Sequence, residues 1–108
     1  MEKHMVILVG NIGCGKSVKA LEYAQKGYVV INDDAITTMI GGGDYTLYDE
    51  NKKQIYKGIE YWAIYYSIKH GFGVVMDNTN MSKKTRARHI KQAKFFGCTI
   101  YVIDMGMG

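Results

Sequence analysis

"MVILVGNIGCGKS", Met5 to Ser17, decides the fold. Its first part, Met5 to Val9, is an unbroken apolar run closed by glycine, a pattern that suits a strand buried on both faces. The second part, "GNIGCGKS" from Gly10 to Ser17, spells G-x-x-x-x-G-K-[ST]. Glycines at 10, 13 and 15 carry no Cβ, so backbone N–H groups approach a phosphate closely. A helix beginning at Ser17 would add the positive end of its dipole. Lys16 would bridge the outer phosphates, and the Ser17 hydroxyl would sit on Mg²⁺. The motif stands between a strand and a helix, as a Walker A phosphate loop requires. Gly10, Asn11, Ile12, Gly13, Cys14, Gly15, Lys16, Ser17 and Val18 are therefore read as the nucleotide-binding segment. Cys14 is a small filler at a variable position.

Outward from this stretch, apolar runs alternate with helical patterns. Ser17 to Lys26 reads as a helix with Val18, Leu21 and Ala24 inward and Gly27 as its stop. "YVVIN", Tyr28 to Asn32, is a second strand. Asp33 or Asp34 would cap the short helix "AITTMI". Gly41 to Gly43 open a loop expected to be mobile. A long helix follows from Asp49 to His70, with Ile55, Ile59, Trp62 and Tyr66 spaced four, three and four apart and Tyr61, Tyr65 and Ile68 as a second stripe. Both stripes are read as core packing. "GVVMD", Gly73 to Asp77, is a third strand. Ser82 would cap a basic helix reaching about Phe96, with Ala87, Ile90 and Phe95 inward. "CTIYVID", Cys98 to Asp104, is the fourth strand.

This order predicts an α/β fold of the P-loop NTPase class: a four-stranded parallel sheet with helices on both faces, built from right-handed βαβ units. The 108 residues fit one domain. A hydrophobic share of 47% and the absence of proline exclude a disordered or linker-rich chain. No internal repeat is present. Cys14 and Cys98 stand alone, and His4, His70 and His89 are scattered, so no zinc spacing arises and a reduced, cytoplasmic protein is expected. No apolar run approaches the roughly 18 residues of a membrane span. The net charge is +4, and six of the basic residues (Lys83, Lys84, Arg86, Arg88, Lys91, Lys94) crowd into Ser82–Lys94 with no acidic residue among them. That segment is either a solvated helix face or a surface turned to phosphates.

Ligands of such sheets bind beyond the carboxyl ends of the strands. Asn32 to Asp34, Asp77 to Asn80 and Asp104 all follow strands, so the topology gathers them at the phosphate loop's edge. A kinase needs a carboxylate that orients the acceptor hydroxyl and takes its proton, and the Asp33–Asp34 pair is placed for that unless it only caps the helix. Asp77 is placed to hold Mg²⁺ together with Ser17. Asn78, Thr79 and Asn80 are either turn formers or site residues.

Together "GNIGCGKS", "GYVVINDD" and "VVMDNTNMSKKTRARHIKQAKFFG" resemble the kinase domain of polynucleotide 5′-hydroxyl kinases of bacteriophage and animal types. The resemblance covers nearly the whole chain, with Gly41 to Lys69 matching only as a helix. It implies Asp34 as general base, Lys16 as the catalytic γ-phosphate contact, and Ser17 and Asp77 as the Mg²⁺ residues. It also implies acceptor contacts from Asp34, Asp77, Thr79, Asn80 and an arginine of the basic helix, Arg86. Two departures stand out. Asp33 and Thr37 occupy positions where the family carries arginines, so the acceptor side is expected to be less cationic. The family also has an arginine-bearing lid after the fourth strand, so the sequence is read as a piece cut before that lid.

The expected activity is transfer of the ATP γ-phosphate to the 5′-hydroxyl of a nucleic acid, with Mg²⁺, away from any membrane. Two alternatives stay open: a small-molecule kinase for a nucleoside, a sugar or a zeta-toxin-like acceptor, and a nucleotide-binding module without transfer. Oligomeric state is undetermined by the sequence.

Overall fold

The computed structural model describes residues 3–10, 15–78 and 82–105. The strands are β1 (His4–Val9), β2 (Val29–Ile31), β3 (Val74–Asp77) and β4 (Thr99–Asp104). The helices are α1 (Lys16–Gln25), α2 (Asp33–Ile40), α3 (Lys53–Lys69) and α4 (Lys83–Phe95). The strands form one parallel sheet in the order β2-β3-β1-β4. The apolar run before the phosphate loop is thus an inner strand, paired with β3 on one side and β4 on the other.

Side chains of β1 alternate between two cores. Met5 and Ile7 join Ile31, Ile64, Ile68, Val74, Met76 and Ala93 on the face covered by α2, α3 and α4. Val6 and Leu8 join Ala20 and Val75 on the face covered by α1. Met5, Ile7 and Leu8 are fully buried. Each large apolar side chain sealed this way contributes about 1.5–3 kcal/mol. A strand flanked by both cores carries no polar side chain until its end, which explains the unbroken run in the sequence.

The buried faces of three helices differ from expectation. On α1, Val18 and Leu21 are 63% and 58% exposed and Ala24 is exposed, while Lys16 and Ala20 are buried. Lys16 faces the sheet edge, and that sets the phase of the whole helix. Residues four and seven further on, Ala20 and Tyr23, must then face the sheet. On α3 the buried residues are Glu60, Ile64, Ser67 and Ile68. At about 100° per residue, Ile55, Trp62 and Tyr66 lie on the opposite side, and all three are about half exposed. On α4, Ala87 and Phe95 are exposed, and His89 and Ala93 are buried. The loop after Gly43 is not featureless. Two short 3-10 turns, Tyr45–Leu47 and Glu50–Lys52, are opened by Asp44 and Asp49, whose side chains accept from Thr46 N–H and Asn51 N–H.

Gly27 and Gly71 follow α1 and α3 as expected, both with positive φ. Ser82 caps α4, its hydroxyl accepting from Thr85 N–H at 3.1 Å. The cap of α2 is neither Asp33 nor Asp34 but Asn32, whose side-chain oxygen accepts from Ala35 N–H at 2.9 Å. Both aspartates lie in the first turn beyond it.

Candidate active site

The carboxyl ends of β1, β2 and β3 meet α1 and α2 at one edge. Gly10 leaves β1 there. Asn11, Ile12, Gly13 and Cys14 lie outside the described residues, as do Thr79 and Asn80. Gly15 caps α1 at φ +85. A side chain there would be strained in the left-handed region, so the motif's third glycine is a backbone requirement.

Lys16 opens α1 and is 7% exposed. Its Nζ donates to Asp77 Oδ1 at 2.6 Å. This is a buried, charge-assisted pair joining the phosphate loop to the end of β3. Asn32 Nδ2 approaches the other Asp77 oxygen at 3.4 Å. The structure therefore brings Lys16, Asp77 and Asn32 together. Ser17 and Val18 sit exposed in the first turn of α1. Asp34 is exposed in the first turn of α2. With Asn32 supplying the cap, the Asp34 carboxylate is not spent on it.

Behind this edge lies a polar network that spacing in the sequence does not show. Asn78, 4% exposed, accepts from Asp33 N–H through Oδ1 at 2.9 Å. That fixes its amide, so Nδ2 faces His89 Nε2 at 3.3 Å and donates to it. The His89 proton then sits on Nδ1, 3.1 Å from Gln92 Oε1. Burial, aided by the Arg88 charge, holds the imidazole below its usual range and so neutral at pH 7, against the Gln92 hydrogen bond. Asn78 is thus a positioning residue rather than a simple turn former.

Glu60 of α3 is 3% exposed and accepts from Arg88 Nη2 at 3.3 Å, with His89 Nδ1 at 3.9 Å. Its carboxyl is pushed up to about 8, chiefly by burial, then by its hydrogen bond to Asp33 and the Asp33 charge, with Arg88 and Lys57 opposing. At neutral pH Glu60 is mostly protonated. One of its oxygens accepts from Arg88, and the two carboxyl groups of Glu60 and Asp33 share a hydrogen bond.

These groups wall a cavity of about 170 Å³ lined by Asp33, Ile36, Thr37, Tyr48, Lys53, Tyr56, Lys57, Glu60 and Arg88. Asp33 and Thr37 were expected to leave this side less cationic. The structure supplies the charge from elsewhere, through Lys53 and Lys57 of α3 and Arg88 of α4. The arginine at the cavity is Arg88. Arg86 lies two residues earlier, about 200° round the helix. Arg88 was legible only as one of the basic helix's cations, and Glu60 and His89 escaped the sequence reading because each looks ordinary alone. A lone glutamate in a helix reads as solvated, and its partner stands 28 residues away.

For a nucleotide-borne Mg²⁺ the residues present fit. The ion takes one or two protein oxygens and fills the rest with phosphates and water, and the Ser17 hydroxyl and Asp77 carboxylate are hard oxygen donors at the right edge. Among the described residues no three His, Cys, Asp or Glu side chains cluster as a metal cage. No helix among them is long and apolar enough to cross a membrane.

The same fold recurs in known kinases. A chain of a Pnkp1/Rnl/Hen1 complex superposes with a TM-score of 0.83 at 20% identity, over 99% of this chain and 36% of that one. APS kinase CysC of Mycobacterium tuberculosis, in complex with AMPPNP and APS, superposes with a TM-score of 0.68 at 15% identity, over 97% of this chain and 63% of that one. The HPr kinase/phosphorylase of Mycoplasmopsis pulmonis (strain UAB CTIP) is 48% identical over 40 residues, 37% of this chain and 13% of that protein. The chain thus spans less than two thirds of each of these proteins. The AAA domain profile matches residues 5–106, almost the full length. With its parallel sheet, its phosphate-loop sequence and the Lys16–Asp77 pair at one edge, the chain belongs to the AAA domain family.

Proposed function

We propose that the chain transfers the γ-phosphate of ATP to the 5′-hydroxyl of a polynucleotide. The observation that carries this reading is the cationic cavity beside the first turn of α2, with Lys53, Lys57, Arg88 and Asp33 on its wall and Asp34 next to Asp33 in that turn. A terminal hydroxyl is activated next to a carboxylate while the anionic group that follows it is held by cations. The similarity to a chain of the Pnkp1/Rnl/Hen1 RNA repair complex supports it further.

In this reading the phosphate loop and α1 hold the nucleotide. Lys16 shifts part of its charge from Asp77 to the phosphates, where it offsets charge developing on the transferring group. Ser17 and Asp77 would hold Mg²⁺, which when bound neutralises phosphate charge. Asp34 takes the proton of the 5′-hydroxyl as its oxygen bonds to the γ-phosphorus. The bond from that phosphorus to the β–γ bridging oxygen breaks, and ADP leaves with the electron pair. Thr79, Asn80 and Arg86 are proposed as further acceptor contacts.

A cavity of about 170 Å³ is small, and that favours the second reading, a kinase for a small-molecule acceptor. One assay separates the two. The chain is incubated with Mg²⁺ and γ-labelled ATP against 5′-hydroxyl oligonucleotides, nucleosides and sugars. Label on oligonucleotides is expected; label confined to nucleosides or sugars establishes the second reading instead. Asp34→Asn should lower the transfer rate by about 10²–10⁴-fold, the range of a lost general base, with ATP affinity unchanged. Collapse of ATP affinity in that variant would make Asp34 a fold or metal residue.

A further inference from the structure

The cavity at the edge does not end at Arg88. The same arginine lines a second, larger groove of about 330 Å³ between α3 and α4, walled by Tyr61, Arg88, Lys91, Gln92, Phe95 and Phe96. Phe95 is 77% exposed, and its ring meets Phe96 edge-on at 5.2 Å. Phe96 in turn lies 5.6 Å from Tyr61. Two cations and three aromatic rings line this groove, and no carboxylate does. Exposed rings of this size are costly to leave in water, and the sequence spacing had assigned Phe95 to the core.

We propose that this groove carries the nucleotides that follow the acceptor end, so that a single-stranded nucleic acid runs from the cavity past Arg88 and along α4. The inference rests on the polynucleotide reading above. An apolar peptide would leave Arg88 and Lys91 without counter-charge in the groove, and an acidic one would leave the three rings without flat faces to stack on. A nucleic acid strand brings both complements, a flat face for each ring and a phosphate for each cation. The scale also agrees. From Arg88 to Phe95 is about two helical turns, roughly 10 Å at 1.5 Å per residue. Stacked nucleotides repeat at about 3.4 Å, so the third or fourth nucleotide is the one that reaches Phe95. Phosphate contact at Arg88 would thus serve the first nucleotides and the Phe95 face the later ones.

The test uses wild type, Phe95→Ala, Phe95→Tyr and Lys91→Glu, with melting curves confirming that each is folded. Anisotropy measures binding of a labelled 5′-hydroxyl hexamer, and transfer is followed with the hexamer and with a nucleoside 3′-phosphate. Phe95→Ala should weaken hexamer binding about tenfold, in the range of one lost base stack, and Phe95→Tyr should restore it. Lys91→Glu should weaken it similarly and flatten the dependence of log affinity on log salt by about one contact's worth. Transfer to the nucleoside 3′-phosphate should be unchanged in all three. Wild-type hexamer affinity in both Phe95→Ala and Lys91→Glu overturns the groove while leaving the polynucleotide reading standing. Equal losses on hexamer and single nucleotide in folded variants overturn it too. A wild type that neither binds nor phosphorylates the hexamer overturns both.

Discussion

At the scale of single residues, the pair Lys16–Asp77 ties binding to stability. Both side chains are at most 10% exposed, and a buried charge stripped of its partner is worse than no charge at all. Lys16→Met alone should therefore cost about 3 kcal/mol or more, because Asp77 is left behind. The double variant Lys16→Met with Asp77→Asn should recover most of that loss, yet bind ATP no better. Urea unfolding of both single variants and the double one measures the coupling. Strictly additive losses would mean the two groups are not a pair in solution. The structure holds Lys16 on an internal carboxylate, so in the proposed function nucleotide binding would compete with that contact.

At the scale of elements, α2 depends on Asn32 twice, since its side chain caps the helix and also reaches Asp77. Asn32→Ala should cost about 1 kcal/mol for the cap and lower Tm by about 4–8 °C in a domain of this size. A melting curve that superposes on wild type would show that Asp33 or Asp34 takes over the cap. The elements also show what sequence carries and what it does not. Strands and helix stops were legible because apolar runs and glycines act locally. Lys16 and Asp77 were legible because topology brings strand ends to one edge. The faces of α1, α3 and α4 were not. Spacing says which residues share a side of a helix, and packing decides which side is covered. On α3 the apolar stripe of Ile55, Trp62 and Tyr66 has the better spacing, but the sheet covers Ile64 and Ile68 together with Glu60. The acid follows them inward because Asp33 and Arg88 meet it there, contacts that no local pattern contains.

At the scale of the whole molecule, that carboxyl locks three helices together: Asp33 from α2, Glu60 from α3, and Arg88 with His89 from α4. Its value of about 8 in the folded chain stands against 4.5 for an ordinary glutamate. Between these the folded chain keeps a proton that the unfolded chain has released, so stability falls as pH rises through that window. At about 1.4 kcal/mol per unit, the loss is on the order of a few kcal/mol. His89 works in the opposite sense. Held below its usual range, it contributes stability above about pH 6.5 that is lost as the solution is acidified. The range from pH 6.5 to 8 therefore belongs to Glu60. Wild-type Tm should decline across it, and Glu60→Gln, which keeps both a donor and an acceptor but cannot ionise, should stay flat. Parallel curves for the two proteins would remove the shared proton from the account.

The inner position of β1 has a consequence in time. Met5 pairs with Val74 on one side and Ile100 on the other, so β1 has no neighbour in the sheet until β3, about 70 residues further on, is made. At about 5–20 residues per second on the ribosome, the segment that leads into the phosphate loop waits roughly 4 to 14 seconds for β3, and longer for β4. During synthesis the most apolar stretch of the protein is thus the one exposed longest, and its order in the chain makes it the segment on which a nascent-chain chaperone would act first.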